Sequence, residues 1–204
     1  SSRTDEPTDI LPGSSIAEIC HIVTANSIRS LENTLSVLDM DAMARAVDAI
    51  SRANRIDFYG VGSSGIIAQD AAFKFRRIGL NTFSSLDSHY QIISASTLAP
   101  GDVALVFSYY GETRDIIDSL NAAHESGATV ISITKFGKNA IASASDVALH
   151  VASAETLTRS GAMSSRMVML QIVDMLFTAV ASQNYDSVRE TLNRTAEAVK
   201  SKRL

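Results

Sequence analysis

The stretch Arg55-Ile-Asp-Phe-Tyr-Gly-Val-Gly-Ser-Ser-Gly65 passes from a short apolar run straight into a turn of glycines and serines, and helical spacing follows from Ser64 to about Arg77. A branched and aromatic run that ends in glycine and feeds a helix is the start of a βα unit. The unit recurs downstream. Strands are predicted at Arg55 to Tyr59, Asn81 to Leu86, Val103 to Phe107, Thr129 to Thr134 and Asp146 to Val151. Helices are predicted between them at Ser88 to Leu98, Thr113 to Ser126 and, briefly, Asn139 to Ala144. Ser88 with Gln91 reads as a capping box, Pro100-Gly101 breaks the chain before the third strand, and Gly127 stands where a helix would end in a left-handed residue. The alternation predicts an α/β protein with a five-stranded parallel sheet sandwiched by helices.

Helices are also expected on both sides of this region. A polar lead over 1–13 ends at Pro12-Gly13, after which Ile16, Ile19, Cys20 and Val23, then Ile28, Leu31, Leu35 and Leu38, follow helical spacing behind Ser14 or Ser15 as cap. A second helix begins near Asp41 with Met43, Ala44, Val47 and Ile50 on one face. Downstream, Met163, Met167, Leu170, Asp174 and Phe177 mark a long helix over Gly161 to Ala181, and a more polar one runs from Tyr185 to Lys200. A single domain over 14–204 accommodates all of this: N-terminal helices at 14–53, sheet and crossovers at 55–151, C-terminal helices at 157–204.

The bulk properties exclude several function classes. With 46% hydrophobic residues among 204, the chain can build one substantial core, and its net charge of −4 gives these residues no general attraction to nucleic acid or anionic lipid. Cys20 is the single cysteine, so an internal disulfide and a cysteine-built metal cluster are both impossible and a reducing compartment fits. No run reaches the roughly 18 uninterrupted apolar residues of a membrane span. Residues 1–9 lack the basic and apolar regions of a signal peptide, so a soluble, cytoplasmic protein is expected.

In an open parallel sheet, ligands bind beyond the carboxyl ends of the strands, where neighbouring connections leave in opposite directions. The loops after the first and third strands are therefore the candidates. In the first, Gly62, Ser63 and Ser64 lead into a helix whose N-terminal amides favour an anion, and the serine hydroxyls add donors. The alternative reading is that both serines merely cap the helix. The same loop spells G-x-G-x-x-G, with Asp87 near the end of the second strand, which keeps a dinucleotide-binding oxidoreductase open as a reading. The second loop, Ser108-Tyr109-Tyr110-Gly111-Glu112-Thr113, also feeds a helix and would face the first across one crevice.

Here the sequence resembles the sugar isomerase (SIS) family, whose phosphate loop reads S-x-S-G-x-T. Ser108, Gly111 and Thr113 match it, and Tyr110 replaces the middle serine. The resemblance sharpens toward the C-terminal effector domain of RpiR/MurR-type bacterial transcription regulators. It is carried by Gly62-Ser63-Ser64-Gly65 with Asp70, Asp87-Ser88-His89, the second loop, Ile133-Thr134 with Gly137, and Arg159 through Arg166. It implies a flavodoxin-like SIS fold, a phosphorylated sugar as effector, no cofactor, and a homodimer or homotetramer. DNA would be reached only through an N-terminal helix-turn-helix that lies outside these residues. Gly62, Ser63, Ser64, Ser108, Tyr110, Gly111 and Thr113 would hold the phosphate; Asp87, His89 and Glu155 would select sugar hydroxyls.

Isomerases of this fold move a proton with a carboxylate or imidazole, and Glu112, Glu155 and His89 are the candidates for that alternative function. Glu112 also suits the first turn of a helix without any chemistry. No residue is assigned a catalytic role. Arg159 and Arg166 would reach the phosphate or a neighbouring subunit. His21, His89, His124 and His150 are far apart and form no ligand pair, so no metal site is expected.

Overall fold

The computed structural model describes residue 10, residues 12–153 and residues 163–200. The strands β1 (Ile56–Gly60), β2 (Thr82–Ser84), β3 (Val103–Phe107), β4 (Thr129–Lys135) and β5 (Val147–Val151) form one parallel sheet in the order β2-β1-β3-β4-β5. β1 and β3 are adjacent, and Gly60 pairs in register with Phe107. The loops after these two strands therefore leave the sheet at the same level, at the topological switch point.

The helices α1 (Ile16–Val37), α2 (Met40–Arg52), α3 (Ser63–Arg77) and α7 (Met163–Gln183) pack on one side of the sheet, with α8 (Tyr185–Lys200) against α3 and α7. The other side carries α4 (Ser88–Ala95), α5 (Arg114–Glu125) and α6 (Ala140–Ala144). All five residues of β1 are buried, as are all five of β3, which is why neither run alternates in the sequence. Phe58 and Phe75 stack at 5.7 Å between ring centroids, and Phe177 meets Phe75 edge-on at 5.7 Å, fixing β1, α3 and α7 to one another. On the opposite face Asp57 is fully buried and accepts hydrogen bonds from Arg55 Nε at 2.7 Å, Tyr59 Oη at 2.6 Å and Ser94 Oγ at 2.6 Å. That charge is paired and hydrogen-bonded, the condition for keeping it inside.

Two local readings are corrected, and a third feature goes beyond them. The capping box at Ser88 and Gln91 does not form, because Asp87 takes the N-cap, its carboxylate accepting from Tyr90 N at 3.1 Å, and Gln91 turns into the interior. β2 is three residues long, much shorter than expected. The buried edge of α1 is not its apolar stripe: Ile16, Ile28 and Leu35 are exposed, and Ile22, Asn26, Ser30 and Thr34 face the protein at four-residue intervals. Small polar side chains let α1 lie close to β5, where Thr34 Oγ1 donates to Ala152 O and accepts from Ala152 N, both at 3.0 Å. By length and mean hydropathy alone α7 could cross a membrane, yet Val168, Ile172, Val173, Leu176 and Val180 bury one side of it in the core.

Candidate functional site

The first loop is built by three glycines with different duties. A Cβ on Gly60 would fall 2.4 Å from Ser64 O, and one on Gly65 would fall 2.7 Å from Leu86 Cδ2 and 2.9 Å from Gly60 O, so α3 starts directly on the end of β1. Gly62 is the N-cap of α3 at φ +60°, in open space, and supplies the turn. Ser63 and Ser64 are the first helical residues and not caps; their side chains line a cleft instead.

The second loop is held differently. Ser108 is buried, and its Oγ lies 3.0 Å from Thr113 Oγ1. Thr113 is the N-cap of α5, but its hydroxyl makes no capping bond. Gly111, at φ +71°, presses on the Asn139 side chain, and Lys135 N donates to Tyr109 O at 2.7 Å, tying the loop to β4. Tyr110 projects outward, 60% exposed, with Tyr109 edge-on at 5.1 Å and Lys135 Nζ 5.0 Å above its ring.

Together the loops bound a cleft of about 270 Å3. Ser63, Ser64 and Ile67 form one wall, and Ser108, Tyr109, Tyr110 and Thr113 the other. The start of α7 closes it with Ser165, Arg166 and Met169. The helix starts at α1, α2, α4 and α6 are capped by the side chains of Ser15, Asp39, Asp87 and Asn139. Those of α3 and α5, which face the cleft, have no side-chain cap. The amides of a helix's first turn have no intrahelical acceptor and carry the positive end of its dipole. Two such ends, several hydroxyl-bearing residues and Arg166 therefore border a space that suits a phosphate group.

Of the residues expected at a ligand, the structure gathers Ser63, Ser64, Ser108, Tyr110, Thr113 and Arg166 around the cleft, and Gly62 and Gly111 shape its two turns. Asp87 and His89 are exposed at the start of α4 and are not among the cleft's lining residues. Glu155 and Arg159 lie outside the described residues. Ile67, Tyr109, Ser165 and Met169 were missed; Ser165 and Met169 stand one helical turn apart, a spacing that would have placed them together. A larger groove of about 750 Å3 runs between α1 and α7, lined largely by apolar groups such as Leu31, Met167, Leu170 and Met175. Its polar lining residues, Gln171, Asp174, Thr178 and Ser182, all come from α7, whereas the smaller cleft is lined from two loops and two helices.

Comparison with known proteins agrees with this architecture. The SIS domain model matches residues 49–179, and the chain belongs to that family. It is 40% identical over 176 residues to the uncharacterized HTH-type transcriptional regulator TTE0211 of Caldanaerobacter subterraneus, covering 86% of this chain and 62% of that protein. To the uncharacterized HTH-type regulator YbbH of Bacillus subtilis it is 32% identical, covering 96% of this chain and 70% of that protein. The chain thus spans roughly two thirds of the length of these relatives. Among solved structures, Vibrio vulnificus NanR complexed with ManNAc-6P superposes with a TM-score of 0.83 at 29% identity, over 89% of this chain and 68% of that one. The sugar isomerase domain of an RpiR transcription factor from Sphaerobacter thermophilus superposes with a TM-score of 0.79 at 22% identity, over 88% and 99%, a likeness of fold.

Proposed function

We propose that this domain binds a phosphorylated sugar in the cleft between the β1 and β3 loops and serves as the effector-sensing part of a transcriptional regulator of carbohydrate metabolism, without converting the sugar. One observation carries the reading: two helix N-termini without side-chain caps converge with Ser63, Ser64, Ser108, Thr113 and Arg166 on a cleft whose described lining contains no carboxylate or imidazole. Such a site can hold a dianion. NanR, which holds ManNAc-6P, and the HTH-type regulators among the relatives support the assignment. The dinucleotide reading is less well supported, since Asp87, its expected acid, is not among the cleft's described lining residues.

Binding would act by favouring one subunit arrangement over another, shifting a DNA-binding domain attached through the chain's N-terminal side. The exposed Ile28 and Leu35 of α1 and the α1–α7 groove offer an apolar face for a homodimer or homotetramer. Calorimetry with a panel of pentose and hexose phosphates, alongside the same sugars unphosphorylated, tests the function. At least one phosphate ester binds and its parent sugar does not; binding by none, or proton exchange at the sugar carbon in deuterated water, overturns the sensor reading.

A further inference from the structure

Each cleft loop is backed by a buried carboxamide that does not itself line the cleft. Gln91, fully buried in α4, donates from Nε2 to Gly60 O at 2.8 Å and to Ser85 O at 2.7 Å. It grips the last carbonyl of β1, two residues before the turn at Gly62. Behind the other loop stands Asn139, only 7% exposed. Its Oδ1 accepts from Ala142 N at 2.9 Å, and its Nδ2 donates to Thr134 Oγ1 at 3.0 Å and Gly137 O at 3.2 Å, so the side chain is locked. That side chain abuts Gly111, where an added Cβ would fall 2.0 Å from Asn139 Oδ1, and Ile141 N donates to Gly111 O at 3.0 Å.

Neither residue is required by its own helix. α4 is already capped by Asp87, and Ser or Thr would cap α6 about as well as Asn. Gln91 Oε1 is buried without a hydrogen-bond partner among the described residues, a desolvation cost that an apolar side chain of the same shape would avoid. Retaining polar groups there makes sense if they fix backbone atoms whose placement matters more than their stability.

We infer that Gln91 and Asn139 are positioning residues that hold Gly60 and Gly111, and with them the two loops, at the separation that lets both grip one phosphate. This rests on the cleft being a phosphate site. The test uses equilibrium dialysis of the whole chain with radiolabelled inorganic phosphate, well below the melting temperature. Gln91→Met, close in volume, and Asn139→Ser, which keeps a cap, each weaken binding about tenfold while remaining folded at the dialysis temperature. Should either fail to fold, Gln91→Asn and Asn139→Thr replace them with the same expectation. Folded variants that bind phosphate within about twofold of the parent overturn the inference, provided that Ser108→Ala/Thr113→Ala has lost binding. If that double variant also binds normally, the phosphate-site reading itself fails.

Discussion

The hydroxyls of Ser108 and Thr113 stand 3.0 Å apart across the turn after β3, each engaged by the other and neither spent on capping α5. A pair arranged in this way can turn both donors onto an incoming anion without breaking any bond to the backbone. Each single alanine variant is expected to lose about 1.5–3 kcal/mol of sugar-phosphate affinity, the worth of a hydrogen bond to a charged group. Because the two share one partner, the double variant loses less than the sum. Calorimetry on the three variants reads this directly, and full additivity would mean that the hydroxyls act separately.

Gly60 and Gly62 look alike in the sequence but are not equally replaceable. Gly62 has open space around it, so Gly62→Ala costs only the strain of a backbone at φ +60° and ψ −129°, about 1–3 kcal/mol. Gly60→Ala drives a methyl into the backbone carbonyl of Ser64 at 2.4 Å, which no rotamer change relieves. Its cost should exceed about 3 kcal/mol, at the severe end for single substitutions. Urea denaturation of the two variants measures the difference.

Much of this was legible in the sequence, and the misses have physical causes. Val103 to Phe107 could be bounded to the residue, because a strand buried on both faces is a continuous apolar run between Pro100-Gly101 and Ser108. The pairing of the two loops followed from strand alternation and the switch-point rule. The side of α1 that packs could not be read from hydrophobicity, since close approach to β5 selects small side chains such as Ser30 and Thr34. Asp87 was expected at the sugar from the resemblance, and the structure shows it capping α4, a role the sequence reading had given to Ser88. Arg166 was expected near the phosphate, but Ser165 beside it also reaches the cleft from α7, across the fold, and no local pattern announces that meeting.

Tyr59 makes stability depend on alkaline pH. Burial, reinforced by the charge of Asp57 and the hydrogen bond to it, keeps its phenol protonated far above the ordinary tyrosine range. The unfolded chain ionises this group near pH 10, so its contribution is complete below that value and declines as pH rises, by at most about 1.4 kcal/mol per pH unit. Tyr59→Phe should lower stability at pH 7 by about 1–3 kcal/mol, since Asp57 loses a donor. It should also flatten the decline above pH 10. Denaturation curves between pH 7 and 11 check both effects.

Tyr110 sets the mouth of the cleft. Tyr110→Ser removes an exposed ring and its contact with Lys135, worth about 0.5–1 kcal/mol at such a site. The melting temperature should therefore move by a few degrees at most. Ligand choice should move more, with bulkier phosphorylated sugars gaining affinity relative to compact ones. An unchanged order of affinities across the panel would show that the ring takes no part in selection.

The central claim is that one phosphate is held jointly by the starts of α3 and α5. Titrating the isotopically labelled protein with inorganic phosphate and following backbone amide resonances tests it most directly. The amides of Ser63, Ser64, Arg114 and Asp115 should shift together with a single dissociation constant, while those of Tyr90 and Gln91 on α4 stay in place. Shifts confined to one loop, or largest around Asp87 and His89, would contradict it.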